Sequence, residues 1–205
     1  MMRPQLVVIG ASLGGTRALA VVLDGLPEDF TVPLAIVQHR AADAVGALCS
    51  FLQGYSRLPV SEIEDKQPIS PAQIYLAPAD YHVLIETGGF ALSTEAPILN
   101  ARPSIDALFE SAADAYAAQA IGVILTGASG DGARGLARIK QRGGLALVQS
   151  PETAECRVMP EAAIDATQVD WILPLAEIAP CLVSLCHQES GVKNQRLRPL
   201  TPDSY

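Results

Sequence analysis

Basic charge is scarce in this chain of 205 residues, where 14 Lys and Arg stand against 22 Asp and Glu for a formal net charge of −8. No Lys/Arg cluster occurs in its body, which argues against a nucleic-acid partner, because that affinity comes mostly from neutralising phosphates. Long apolar runs are missing as well. Hydrophobic residues make up 49% of the chain, yet no run approaches the roughly 20 needed to span a bilayer, and no secretory leader pattern opens the sequence. A soluble, cytoplasmic protein without direct membrane insertion is expected. Cys49, Cys156, Cys181 and Cys186 show no Cys-x-x-Cys spacing, and Cys186-His187 lacks the second pair that a zinc site needs. They are expected as reduced thiols, mostly in the core, with no metal role. The length suits one well-buried domain.

What is present is concentrated in Val7-Val8-Ile9-Gly10-Ala11-Ser12-Leu13-Gly14-Gly15, an apolar run that ends in a small-residue loop before a helical pattern. The order strand, sharp turn, helix and the pattern G-x-S-x-G match a nucleophile elbow, in which flanking glycines let the backbone reverse and lift the Ser12 hydroxyl above the sheet edge. Two other readings compete: a merely structural glycine turn, and a phosphate cradle at a helix N-terminus. A dinucleotide fingerprint would require glycine at Ser12 and an acidic residue ending the second strand. That strand, Leu34-Ala35-Ile36-Val37, ends in Gln38-His39. No Gly-Lys-Ser/Thr follows the turn, so a Walker loop is excluded.

Apolar periodicity predicts a helix over 16–23, a strand over 34–37 and an amphipathic helix from about Asp43 to Leu52. Short strands are expected at 58–63 and 74–76, followed by a β-hairpin of 81–86 and 90–93 around Gly88-Gly89. Ser104 is a good N-cap for a helix in which Asp106 complements the dipole. Ala120 to Thr126 reads as a strand buried on both faces, running into the glycine-rich turn Gly127-Ala128-Ser129-Gly130-Asp131-Gly132. A helix over 133–141, a strand over 145–148, a helix over 151–166 broken around Met159-Pro160, a strand over 169–173 and a helix over 175–186 complete the pattern. This alternation predicts a doubly wound three-layer α/β/α fold, its sheet mostly parallel, with the β-hairpin at one end. The expected domain is 1–187, and the polar stretch 188–205 is expected to be a disordered tail.

Ligands bind such sheets outside the carboxyl ends of the strands. Three strands end there in Ser12, His39 and Asp131, the residue types of a nucleophile, its general base and the carboxylate that orients the base. The oxyanion is expected on backbone N–H groups at Leu13 and within the Gly127 to Gly130 turn. Taken singly, His39 reads more readily as an ordinary loop imidazole and Asp131 as a turn residue beside Gly132; the coincidence of three such residues at strand ends is what points to chemistry. Asp80 and His82 are candidates for the edge of the site with a structural role favoured, and Arg102 either contacts the substrate or ties its loop to the sheet.

In order and spacing, several motifs resemble the CheB-type protein-glutamate methylesterase domain of bacterial chemotaxis. They are Ile9-Gly10-Ala11-Ser12-x-Gly14-Gly15, Gln38-His39, Ala77-Pro78-x-Asp80-x-His82, Arg102-Pro103-Ser104-x-Asp106-x-Leu108-Phe109, Leu125-Thr126-Gly127 with Asp131-Gly132-Ala133, and Met159-Pro160-x-x-Ala163-Ile164. The likeness runs from about Leu6 to Leu185. It implies hydrolysis of glutamyl methyl esters on chemoreceptor cytoplasmic helices, and deamidation of receptor glutamines by the same acyl transfer. Ser12 would be the nucleophile, His39 the general base and acid, and Asp131 the orienting carboxylate, with Leu13, Ala128 and Arg102 around the oxyanion and substrate and with no cofactor or metal.

Three positions depart from the family's usual residues. Leu13 replaces a threonine beside the oxyanion, Ala128 replaces a methionine of the oxyanion turn, and Arg40 follows His39 where methionine is common. A cation there disfavours the imidazolium if it points inward. The alternative function is therefore a catalytically weak receptor-binding module of the same fold, and a nucleotide-binding domain is third. Because the first strand starts almost at Met1, no receiver domain is expected ahead of it, which would leave regulation to a separate receiver protein.

Overall fold

A computed structural model describes residues 2–40 and 47–187. The chain opens with β1 (Leu6–Ala11), α1 (Gly15–Asp24), β2 (Leu34–Gln38), α2 (Ala47–Gln53), β3 (Val60–Glu62), β4 (Ile74–Leu76) and the pair β5 (His82–Glu86) and β6 (Gly89–Ser93). It continues with α3 (Ile105–Tyr116), β7 (Ala120–Ile124), α4 (Ala133–Gln141), β8 (Leu145–Gln149), α5 (Val158–Ala166), β9 (Trp171–Leu173) and α6 (Leu175–Cys186). The expected start of the second helix at Asp43 and the polar stretch 188–205 fall outside the described residues.

Seven strands form one sheet in the order β3-β4-β2-β1-β7-β8-β9, and every pairing is parallel. β5 and β6 pair antiparallel as a separate hairpin. The period of two along β1 sends Val7, Ile9 and Ala11 to one face and Leu6 and Val8 to the other, and all five are fully buried. On the first face they meet Leu19, Val22 and Leu23 of α1 and Ile178, Leu182 and Leu185 of α6. On the second they meet Leu108 and Phe109 of α3, Leu136 and Ile139 of α4, and Val83 and Phe90 of the hairpin. A strand buried on both faces has no room for alternation with polar residues, which is why the central strands read as unbroken apolar runs. No helix among the described residues is long and apolar enough to cross a membrane.

The chain runs out from β1 to one side of the sheet and returns to β7 on the other. This reversal opens a crevice at the carboxyl ends of β2, β1 and β7, where Ser12, His39 and the turn to Asp131 lie.

Two expectations change. The helix predicted over 151–166 is not broken at Met159-Pro160 but begins there: α5 starts at Val158, so Pro160 sits in the first turn, where its missing N–H costs no bond. Cys181 and Cys186 are buried, whereas Cys49 and Cys156 are only half-buried, so the core holds two of the four thiols.

α3 and α4 approach closely at Gly135, and α4 lies close on β7 at Gly122. A Cβ added at Gly135 would stand 2.5 Å from Phe109 Cβ and 3.1 Å from Asp106 O, and one added at Gly122 would stand 2.7 Å from Leu136 and Ile139. Helix propensity alone would favour Gly135→Ala by about 1 kcal/mol. The contact with rigid neighbours outweighs that gain, since overpacking costs about 1–3 kcal/mol. Gly135→Ala is expected to lower the urea midpoint, and a raised midpoint would show that α4 can move off α3 freely.

Candidate active site

The turn after β1 is shaped by one left-handed residue. Gly14 has φ of 78° and caps α1, and the Gly15 N–H closes the turn on Ser12 O at 2.8 Å. An L side chain is strained at that φ, and its Cβ would also meet Glu155 Cβ at 2.7 Å. Ser12 is thereby held at the head of the crevice, its N–H donating to Thr126 O at 2.9 Å as the β1–β7 ladder runs on into the loops.

His39 lies one residue beyond the Ala11–Gln38 register pair, next to Ser12 on the adjacent strand end. The Gln38 side chain fixes this neighbourhood. Its Nε2 donates to Ser12 O at 2.8 Å and to His39 O at 2.9 Å, so one buried amide spans the Ser12 loop and the His39 loop.

Asp131 is fully buried and accepts four hydrogen bonds. Oδ2 takes His39 Nε2 at 2.8 Å and the Ile105 N–H at 2.7 Å, while Oδ1 takes Ser104 Oγ at 2.8 Å and the Asp106 N–H at 3.0 Å. Three of those donors form the N-terminal end of α3, so the carboxylate occupies the anion position of a helix dipole. Burial by itself would raise the Asp131 pKa. The bonds from His39, from the Asp106 and Ile105 N–H groups and from Ser104 outweigh it and hold the carboxyl below its ordinary value. An ionised acceptor at Nε2 keeps the proton on that nitrogen, leaving Nδ1 as the basic atom of the ring. Among the described residues Ser12 Oγ has no hydrogen-bond partner, and His39 makes its ring bond to Asp131 only. The structure thus joins His39 to Asp131 and sets Ser12 beside them without closing the Ser12–His39 bond, which in free enzymes is often looser than in complexes.

The N–H groups of Leu13 and Ala128 are without partners among the described residues. Gly127 is different: its N–H donates to Cys156 O at 3.1 Å, which removes it from the expected oxyanion turn. The Thr126 hydroxyl ties these loops together by donating to Leu13 O at 2.8 Å and receiving the Cys156 N–H at 2.8 Å.

The two arginines are engaged with acids. Arg40, its side chain 6% exposed, gives Nη2 to Glu62 at 2.5 Å and to Ala77 O at 2.9 Å, so its charge is balanced by a carboxylate beside it. Arg102 binds Asp80 through Nε at 2.9 Å and Nη2 at 2.6 Å, and reaches Thr94 O and Glu95 O through Nη1. It ties its loop to the hairpin while still lining a cleft of about 540 Å3 together with His39, Arg40, Asp80, Leu99 and Ser129. His82 is buried away from the cleft, with Nε2 3.2 Å from Ala96 O and Nδ1 accepting the Ser104 N–H at 3.2 Å.

Asp106 stands in the first turn of α3 as expected, and its side chain also reaches the next helix. Its Oδ1 accepts the N–H groups of Gly132 at 2.9 Å and Gly135 at 2.8 Å, capping α4. Gln38 and Gln149 are not of a reactive type, and sequence alone assigns them no part in the site. Their signal was nonetheless there, since Leu-Ala-Ile-Val-Gln and Leu-Ala-Leu-Val-Gln each end a buried strand in a glutamine. Gln149 Oε1 accepts the Thr126 N–H at 2.9 Å.

A parallel, doubly wound sheet with a serine, a histidine and a buried carboxylate gathered at its carboxyl edge places the chain in the α/β class. Its family is more definite: residues 7–182 match the CheB methylesterase family model, and the chain belongs to that family. A Leptospira interrogans protein, provisionally named as a protein-glutamate methylesterase/protein-glutamine glutaminase, is 44% identical over 185 residues, covering 90% of this chain and 96% of the relative. The protein-glutamate methylesterase/protein-glutamine glutaminase 2 of Anaeromyxobacter dehalogenans is 43% identical over 89% of this chain but only 54% of its own length. The crystal structure of the Thermotoga maritima CheB methylesterase catalytic domain superposes with a TM-score of 0.85 at 34% identity, covering 90% of this chain and all of that one.

The direction of the Asp131 shift fixes a pH dependence. A folded-state pKa depressed below 3.8 contributes stability that is present above that value and lost as pH falls through the folded pKa. Urea unfolding of the wild type should therefore weaken below about pH 4. Asp131→Asn is expected to be less stable at neutral pH and to show a shallower acid slope. An unchanged slope would mean that other carboxylates govern the acid limb.

Proposed function

We propose that this protein hydrolyses glutamyl methyl esters on the cytoplasmic helices of chemoreceptors, and deamidates receptor glutamines at the same site. The observation that carries this reading is the 2.8 Å bond between His39 Nε2 and the buried Asp131 carboxylate, which leaves Nδ1 as a base on the loop beside Ser12. Nδ1 takes the Ser12 proton as Oγ attacks the ester carbonyl. The developing oxyanion is received by the N–H groups of Leu13 and Ala128, which act at full strength because they are fixed before the charge appears. The imidazolium, stabilised by Asp131, returns the proton to the departing methoxide, and methanol leaves an acyl-Ser12 intermediate. A water molecule activated by Nδ1 then releases glutamate. With a glutamine side chain the same steps release ammonia.

The names of the relatives, which specify both activities, support this reading. So does the placement of Arg40. Its pairing with Glu62 offsets the cation next to His39, and Leu13 is 55% exposed. Neither of the two departures that favoured a weak binding module therefore counts against the esterase reading.

Methanol release from methylated receptor membranes tests the proposal. Ser12→Ala and His39→Ala should each reduce turnover by at least about 10^3-fold, and the double variant should lose little more, because members of a triad act as a unit. Equal, slow release by wild type and Ser12→Ala would rule the esterase out.

A further inference from the structure

Of the buried titratable side chains that the proposed mechanism leaves unused, one is bonded to the group that holds the catalytic carboxylate. His82 begins the hairpin strand β5 and is 2% exposed. Its Nδ1 accepts the Ser104 N–H at 3.2 Å, so Nδ1 carries no proton and the ring hydrogen sits on Nε2, which donates to Ala96 O at 3.2 Å. Ser104 in turn is fully buried, donates Oγ–H to Asp131 Oδ1 at 2.8 Å and accepts the Ala107 N–H at 3.4 Å. With its one hydrogen committed to Asp131, the hydroxyl can serve α3 only as an acceptor, and its place depends on where the Ser104 backbone stands.

That backbone has two anchors. The helix fixes the carbonyl side, where the Leu108 N–H reaches Ser104 O at 3.4 Å, and His82 fixes the N–H side. The hairpin that carries His82 is itself pinned to the same helix, because the Ile85 N–H donates to Ser111 Oγ at 2.9 Å and Val83, Ile85 and Phe90 pack in the core beside Leu108 and Phe109. From this arrangement we infer that His82 is a positioning residue of the esterase: through Ser104 it aims one of the four donors that hold the Asp131 carboxyl group in place against His39. The chain of contacts runs Ala96 O, His82, Ser104, Asp131, His39, with every bond between 2.8 and 3.2 Å. It gives the hairpin, which adds no strand to the main sheet, a part in the site.

The role is specific enough to separate from core filling. An apolar residue at 82 preserves bulk but removes the acceptor for the Ser104 N–H. Asparagine places its Oδ1 where Nδ1 stood and restores that acceptor. Ser104→Ala removes the donor to Asp131 directly, without touching His82. If His82 acts through Ser104, then His82→Leu and Ser104→Ala damage the same bond, and combining them costs little beyond the larger single effect.

The test uses the full chain as wild type, His82→Leu, His82→Asn, Ser104→Ala and the His82→Leu/Ser104→Ala double variant. Two readouts are taken: kcat and KM for methanol release, and the titration of the Asp131 carboxyl carbon followed by 13C NMR. The kinetic readout rests on the proposed esterase activity, whereas the carboxyl titration needs no substrate. Expected are a fall in kcat of about 10-fold to 100-fold for Ser104→Ala with little change in KM, the scale of one hydrogen bond to a charged group. The Asp131 titration should move to higher pH. His82→Leu should change both in the same direction, the double variant should add little, and His82→Asn should recover most of the loss. A folded His82→Leu with wild-type kcat and an unmoved Asp131 titration overturns the inference, as do additive effects in the double variant. Should His82→Leu fail to fold, an unmoved Asp131 titration in Ser104→Ala, or a His82→Asn no better than Ser104→Ala, overturns it equally. A wild type that releases no methanol removes the esterase reading alone, and the carboxyl titration still decides whether His82 governs Asp131.

Discussion

The site depends on a carboxylate seated at the start of a helix. Asp131 arrives at the N-terminus of α3 on the loop that leads into α4, while Asp106, inside the first turn of α3, accepts the N–H groups at the N-terminus of α4. Each helix is capped by an acid belonging to the other. The exchange satisfies buried backbone donors that would otherwise cost roughly 1–3 kcal/mol each. It also fixes the distance between β7, which delivers Asp131, and the helix over which β5 and β6 fold. The two acids respond oppositely to the shared environment. Asp131, with four donors, is held below its ordinary pKa, whereas for Asp106 burial prevails over its backbone bonds, and the neighbouring Asp131 charge adds to the rise. Two carboxylates are tolerable this close because each accepts backbone N–H groups of a helix start, and Arg134 stands 3.7 Å from Asp106.

Around this pair the loops are cross-tied by single side chains. The Gln38 amide holds the Ser12 and His39 carbonyls, the Thr126 hydroxyl holds Leu13 to Cys156, and Gln149 holds the Thr126 N–H. None of these groups is reactive. Their effect is preorganisation: donors and acceptors fixed before reaction need no rearrangement as charge develops, which is where most electrostatic stabilisation of a transition state comes from. Among the described residues the Ser12 hydroxyl has no bond, so its rotamer is the degree of freedom that a bound ester would settle.

How much of this could be read beforehand divides along the range of the interactions. Strand ends and glycine turns are local, so the sheet, the hairpin and the positions of Ser12, His39 and Asp131 on its edge followed from pattern alone. Ser104 as an N-cap was legible for the same reason. Its second role was not, because nothing in the segment Arg102-Pro103-Ser104 says that Asp131, 27 residues on, will accept its hydroxyl. Asp106 divides in the same way: its place in the first turn of α3 is local, whereas only the close approach of α3 and α4 at Gly135 brings the second set of N–H groups that its carboxylate accepts. The threat posed by Arg40 dissolved through Glu62, a partner on β3 two strands away in the sheet order. Pro160 reads as a breaker when the helix is assumed to start earlier, and as an ordinary first-turn residue once the start is known.

The strictly parallel sheet has a practical corollary. All seven strands point their carboxyl ends toward the cleft, so the described residues before Leu6 stand at the opposite edge. Six residues of β1 at about 3.3 Å each put roughly 20 Å of buried strand between that edge and Ser12. An affinity tag or surface tether joined there therefore leaves the cleft turned away from the support, open to a partner as long and stiff as a helical bundle. Joined instead to a cleft-edge loop such as the one bearing Leu99, the same tether would compete for the approach that a large substrate needs.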